Sequence, residues 1–77
     1  MKAYVFVTAT TAVNPAQVAQ QIRQIPGIKV ADLCWGLPDI IAVAEAADAK
    51  AMQDLVVDRV QKVSGAVGTD THIVCGT

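Results

Sequence analysis

The stretch Leu33-Cys34-Trp35-Gly36-Leu37-Pro38-Asp39-Ile40-Ile41-Ala42-Val43 sets two apolar runs on either side of a short segment carrying Gly, Pro and Asp. That composition reads as one strand turning into the next. Glycine lets the backbone take positive φ, proline fixes φ near −65° and removes a donor, and aspartate bonds nearby backbone N–H groups. The only Trp of the chain stands at the start of the turn and a carboxylate at its end. Exposed backbone, an aromatic ring and a charge therefore converge on this hairpin. The rest of the chain arranges around it.

Working outward, Ile28 to Trp35 and Ile40 to Ala46 are the two strands that the turn joins. Before them, Asn14-Pro15-Ala16-Gln17 opens a helix, with Asn as N-cap and Pro at the first helical position. Val18, Ile22 and Ile25 give that helix a buried stripe, and Pro26-Gly27 stops it. After the third strand, Asp48 caps a second helix running to about Val63, whose inner stripe is Met52, Leu55, Val56, Val60 and Val63. Lys2 to Thr10 opens the chain as a strand, and Ala66 to Cys75 closes it as another.

The order is strand, helix, strand, strand, helix, strand, and its halves echo each other. Ile25-Pro26-Gly27-Ile28 is answered by Val63-Ser64-Gly65-Ala66, each a helix end, a Gly and a new strand. This is the split βαβ pattern of a ferredoxin-like α+β sandwich. Right-handed crossovers place both helices on one face of an antiparallel sheet of order 4-1-3-2. All 77 residues are read as one domain.

The first strand carries Tyr4, Phe6 and Thr8 on one face and Val5, Val7 and Ala9 on the other. The third carries Ile41 and Val43 on one face and Ile40, Ala42 and Ala44 on the other. Neither central strand has a plainly polar side, although two helices cover only one face of the sheet. Soluble monomers rarely leave such a patch in water. The simplest cover is the same face of a second copy about a two-fold axis. A homodimer is expected.

Composition narrows the function. Six Lys and Arg are scattered against seven Asp and Glu, for a formal charge of −1. A nucleic-acid binder shows a basic patch or stripe instead. No apolar run approaches the roughly 20 residues that span a bilayer. Met1-Lys2 leads straight into a strand without a signal sequence, so a cytoplasmic, natural stand-alone chain is expected.

Cys34 and Cys75 fall on strands at opposite edges of the sheet, three spacings of ~4.8 Å apart. That is beyond disulfide reach. One His and two distant Cys cannot supply a metal site of three or four ligands. Asp48 explains itself as a cap, Glu45 as a strand-end charge, and Ser64 lies in a helix-ending turn. No nucleophile, base and orienting group come together. No catalytic residue, metal ligand or cofactor is assigned. Two readings of the polar residues compete with plain structure. The backbone of the Trp35–Asp39 turn and the Asp39 carboxylate can clasp a small zwitterion. Thr69 and Thr71, on one face of the last strand, can present hydroxyls to a polar ligand.

Taken together, four stretches resemble the Lrp/AsnC (feast/famine) transcription regulators, in their effector-binding RAM domain. They are Ala3-Tyr4-Val5-Phe6-Val7-Thr8-Ala9, the helix exit Ile25-Pro26-Gly27-Ile28, the turn Gly36-Leu37-Pro38-Asp39 with Ile40-Ile41-Ala42-Val43, and the closing Gly65 to Val74. The resemblance implies dimers that pair through their sheets and assemble into rings. It also implies amino acids or related metabolites bound where subunits meet. On this basis Gly36, Leu37, Pro38 and Asp39 would line the ligand, with Thr69 and Thr71, and Trp35 would supply aromatic surface. The chain departs from the family in having no helix-turn-helix and in placing Pro38 where an aromatic often precedes the turn aspartate. Without a DNA-binding part it would act by hetero-assembly with full-length regulators.

Two alternatives from other classes remain at this point. One is a small dimeric ferredoxin-like enzyme, similar to monooxygenases, with its site between helices and sheet. The other is a plain oligomerisation module. If His72 points toward the helices the enzyme reading gains, and if it points to solvent that reading is nearly lost.

Overall fold

The computed structural model describes residues 1–76, and Thr77, the last residue of the expected domain, lies outside them. The strands are β1 (Lys2–Ala9), β2 (Ile28–Leu33), β3 (Ile40–Glu45) and β4 (Ala66–Ile73). The helices are α1 (Pro15–Arg23) and α2 (Ala49–Asp54), the latter running on into a π-helical segment, Leu55–Val60. The sheet is antiparallel with order β2-β3-β1-β4, the expected ferredoxin-like topology.

Register assigns the faces. Ala3, Val5 and Val7 of β1 lie opposite Ala44, Ala42 and Ile40 of β3. All six are buried beneath the helices with Val18, Ala19 and Ile22 of α1 and Met52, Leu55, Val56 and Val60 of the second helix. Fully burying an aliphatic chain such as Ile22 contributes about 1.5–3 kcal/mol. Phe6, Tyr4 and Trp35, the chain's three aromatics, all lie outside this core.

Both helix starts follow from their caps. Asn14 Oδ1 accepts the Ala16 N–H at 3.0 Å, and Asp48 Oδ1 accepts the Ala51 N–H at 2.8 Å. Arg23, in the last turn of α1, donates from Nε to the Ala31 carbonyl at 2.7 Å and ties that helix to β2. Lys50 and Asp54 form an exposed ion pair one helical turn apart, which raises the Lys50 pKa through a hydrogen bond and charge attraction.

β1, α1 and β3 each end one or two residues earlier than the sequence reading, at Ala9, Arg23 and Glu45, and three further boundaries differ for a visible reason. The second helix widens after Asp54, where the Gln61 N–H reaches back five residues to the Val56 carbonyl at 2.9 Å. Val56 and Val60 lie on the core side, with Val57 turned outward between them. β2 ends at Leu33, because the Cys34 N–H already closes the turn onto the Asp39 carbonyl at 2.7 Å. β4 ends at Ile73, since β1, its partner, begins at Lys2, and a bond from the Val74 N–H to the Lys2 carbonyl is the last available. Cys34 and Cys75 thus sit just past opposite edge strands, and both are free thiols.

Gly65 shows why the helix-ending glycines matter. Its φ is +96°, and a Cβ there would lie 2.8 Å from Cγ2 of Val18. Only glycine fits both the turn and the space.

Candidate functional site

The open face of the sheet carries what the helices leave uncovered. Tyr4, Phe6 and Thr8 of β1 lie beside Val43 and Ile41 of β3 and, on the other flank, beside His72, Asp70 and Gly68 of β4. A broad open groove of about 830 Å³ runs over the β1–β4 half of this face. Its sides are Tyr4, Phe6 and Thr8 on one strand and Gly68, Thr69, Asp70 and His72 on the next; Leu37 and Pro38 of the hairpin close one end. The His72 ring meets Phe6 edge-on, with centroids 5.0 Å apart. His72 Nε2 is 3.0 Å from Asp70 Oδ2, and Lys2 Nζ lies 5.3 Å from the centre of the Tyr4 ring. The groove is thus aromatic in its floor, with a carboxylate, an imidazole and an ammonium at its margin.

The hairpin borders this groove through Leu37 and Pro38. Gly36 takes a φ of +109° with open space where a Cβ would point, so the turn needs its backbone freedom and nothing crowds it. Trp35 is fully exposed (103%) and Leu37 nearly so (81%). Asp39 is anchored: its Oδ1 accepts the Ala9 N–H at 2.9 Å. That bond pins the base of the hairpin to the end of β1, where a bulge at Thr8/Ala9 interrupts the ladder to β4. One carboxylate oxygen of the expected ligand clasp therefore already serves the fold.

The two threonines divide from the turn. Thr69 and Thr71 lie opposite Val7 and Val5, so both side chains fall on the helix side of the sheet. Thr69 Oγ1 accepts from Gln61 Nε2 at 2.8 Å. Thr69 sits beside the groove and also lines a small polar hollow of about 290 Å³ with Gln61, Ala66, Val67 and Gly68. Thr71 reaches neither. Within one chain, then, Leu37, Pro38 and Thr69 share a groove, Trp35, Gly36 and Asp39 stand at its hairpin end, and Thr71 lies apart. The residues that sequence reasoning leaves out of the site are Tyr4, Phe6, Thr8, Gly68, Asp70 and His72. The signal is present in the Tyr4, Phe6 and Thr8 alternation, which by itself marks only an association surface.

His72 is on the open face, its side chain 59% exposed, away from the helix layer. Among the described residues, no group of three or more His, Cys, Asp and Glu is placed to hold a metal ion. Among the same residues, no helix is long and apolar enough to cross a membrane.

Solved structures share this fold. A protein of Thermus thermophilus superposes with a TM-score of 0.89 at 17% identity, covering 99% of this chain and 94% of that one. AsnC of E. coli superposes at 0.88 and 14% identity, covering 99% of this chain and 51% of its own. A transcriptional regulator of Neisseria meningitidis, solved as an L-Met complex, superposes at 0.83 and 18% identity over 97% of this chain and 49% of that one. The chain spans about half the length of these two regulators. No curated protein sequence matches it. The sequence profile of the Lrp/AsnC ligand-binding domain matches residues 2–77, and the chain belongs to that family.

Proposed function

We propose that this protein is a non-enzymatic, cytoplasmic small-molecule sensing domain, with residues 1–77 acting as a single unit. An amino acid or related metabolite binds where subunits meet and shifts the assembly in proportion to its differential affinity for the two states. The observation that carries this reading is the hairpin, whose exposed tip stands at the end of an open, aromatic sheet face. Copies pair through that face, and dimers join into rings that bring the turn of one subunit toward another.

In this arrangement the backbone of Gly36 and Leu37 and the free oxygen of Asp39 meet the ligand's charged groups. Pro38 shapes the turn. Trp35 and Leu37 supply apolar surface at the subunit boundary, and Thr69 and Thr71 act from a neighbouring subunit. The protein would join full-length regulators in mixed assemblies and influence DNA binding through them. The regulator of Neisseria meningitidis, solved with L-Met, supports an amino acid as the ligand class. A catalytic reading needs His72 turned into a cavity between helices and sheet, and His72 points the other way.

Light scattering with each of the twenty amino acids tests the proposal. One or more should change the molar mass or raise the melting temperature, and Asp39→Asn should abolish that response. A mass and a melting temperature unmoved by every amino acid would overturn it.

A further inference from the structure

All three aromatic side chains of this protein avoid its core, and they stand at two complementary places. Tyr4 and Phe6 floor the groove on the open sheet face, and Trp35 projects from the hairpin into solvent. Trp35 does not fold back onto its own groove, whose hairpin end is closed by Leu37 and Pro38. A fully exposed Trp beside an unfilled aromatic groove is a knob and a hole with no partner inside one chain. Aromatic residues at such positions characterise interface centres.

We infer that Trp35 of one copy seats in the Tyr4–Phe6–His72 groove of a second copy, and the reverse. A two-fold axis lying across the strands brings the hairpin end of one sheet over the Tyr4–His72 end of the other. The exchange is then isologous, and both knobs are filled at once. Area favours this occupant. A buried Trp removes about 150–250 Å² from water, so two supply roughly a third of the ~1,200 Å² at the low end of specific interfaces. The half-exposed Tyr4 and Val30, with the rest of the open face, supply the remainder. The groove edge suits an indole: His72 and Asp70 offer acceptors to its N–H, and Phe6 offers a ring face or edge. This inference rests on the pairing of sheets proposed above and adds which side chain locks it.

Because Trp35 is the only Trp, its fluorescence reports the docking directly. Sedimentation velocity and emission spectra of the full chain should be recorded together over a dilution series. The dimer should show blue-shifted emission shielded from acrylamide, reverting to a water-exposed spectrum as it dissociates. Trp35→Ala, which removes a side chain that touches little in the monomer, should weaken dimerisation roughly 30-fold or more, the loss expected of a central aromatic anchor. Gly68→Leu should fill the groove: a Cβ there meets only Thr8 Cβ, at 3.8 Å, so the fold accommodates it. His72→Ala, at an exposed position, tests the same groove a second way. A dimer whose Trp stays water-exposed would overturn the docking and leave sheet pairing intact. Blue-shifted emission indifferent to both groove variants would also overturn it. A monomer at every concentration would overturn docking and sheet pairing together.

Discussion

Replacing Asp39 separates two tasks that one carboxylate carries. Its Oδ1 accepts the Ala9 N–H at 2.9 Å, at a buried residue where the β1–β4 ladder is already broken by a bulge. Asp39→Ala leaves that N–H without an acceptor, which costs about 1–3 kcal/mol. The contact is only partly buried, so the lower half of the range applies, about 1–2 kcal/mol. With an unfolding entropy of about 2.1 cal/mol/K per residue over 77 residues, each kcal/mol lowers Tm by about 6 °C. The expected fall is therefore about 6–12 °C. Asp39→Asn keeps an oxygen in place and should cost about half as much, roughly 0.5–1 kcal/mol, because a neutral acceptor makes the weaker bond. Yet it removes the charge that the proposed site offers to an ammonium group. Thermal unfolding at one fixed protein concentration, with and without amino acids, reads both effects, since association makes Tm concentration-dependent. Asp39→Ala melting with the native chain, or Asp39→Asn falling as far as Asp39→Ala, would refute the structural role given to this carboxylate.

Two glycines make a controlled pair. Gly65→Ala meets both a positive φ and Val18 Cγ2 at 2.8 Å, and should cost about 2–4 kcal/mol as backbone strain and overpacking add. Gly36→Ala meets the strain alone, with open space around it, and should cost about 1–2 kcal/mol. Urea titrations of the two variants decide this, and equal midpoints would contradict it. Asp48→Ala removes the cap on the Ala51 N–H and should cost about 1 kcal/mol, with a drop in far-UV helical signal on heating before the main transition.

Much of the fold was legible because local chemistry and topology agreed. Asn14 and Asp48 announce their helices and cap them in the structure. The double-apolar alternation of β1 and β3 matches a sheet with one face left open. The widening of the second helix was not legible, because Met52, Leu55, Val56 and Val60 form an acceptable α-helical stripe as well. Only the carbonyl that Gln61 reaches tells the two apart. For the site, alternation showed that Thr69 and Thr71 share a face, but which face depends on their pairing with Val7 and Val5, at the far end of the sequence. The same limit hid the partner of Asp39, thirty residues upstream. A turn aspartate advertises an acceptor without naming its donor.

The strand order also sets how the chain must assemble in time. β2 and β3 meet across the short turn at 34–39, whereas β1 pairs with β4 across roughly ten times as many residues. Closing the longer loop costs about 2 kcal/mol more chain entropy. The hairpin is the contact that forms cheaply, and β1, at the centre, stays half-paired until the last strand arrives. During synthesis that leaves Tyr4 and Phe6 beside an open strand edge until residues 66–73 are made. Such an edge is where a nascent chain is most open to pairing with the wrong neighbour.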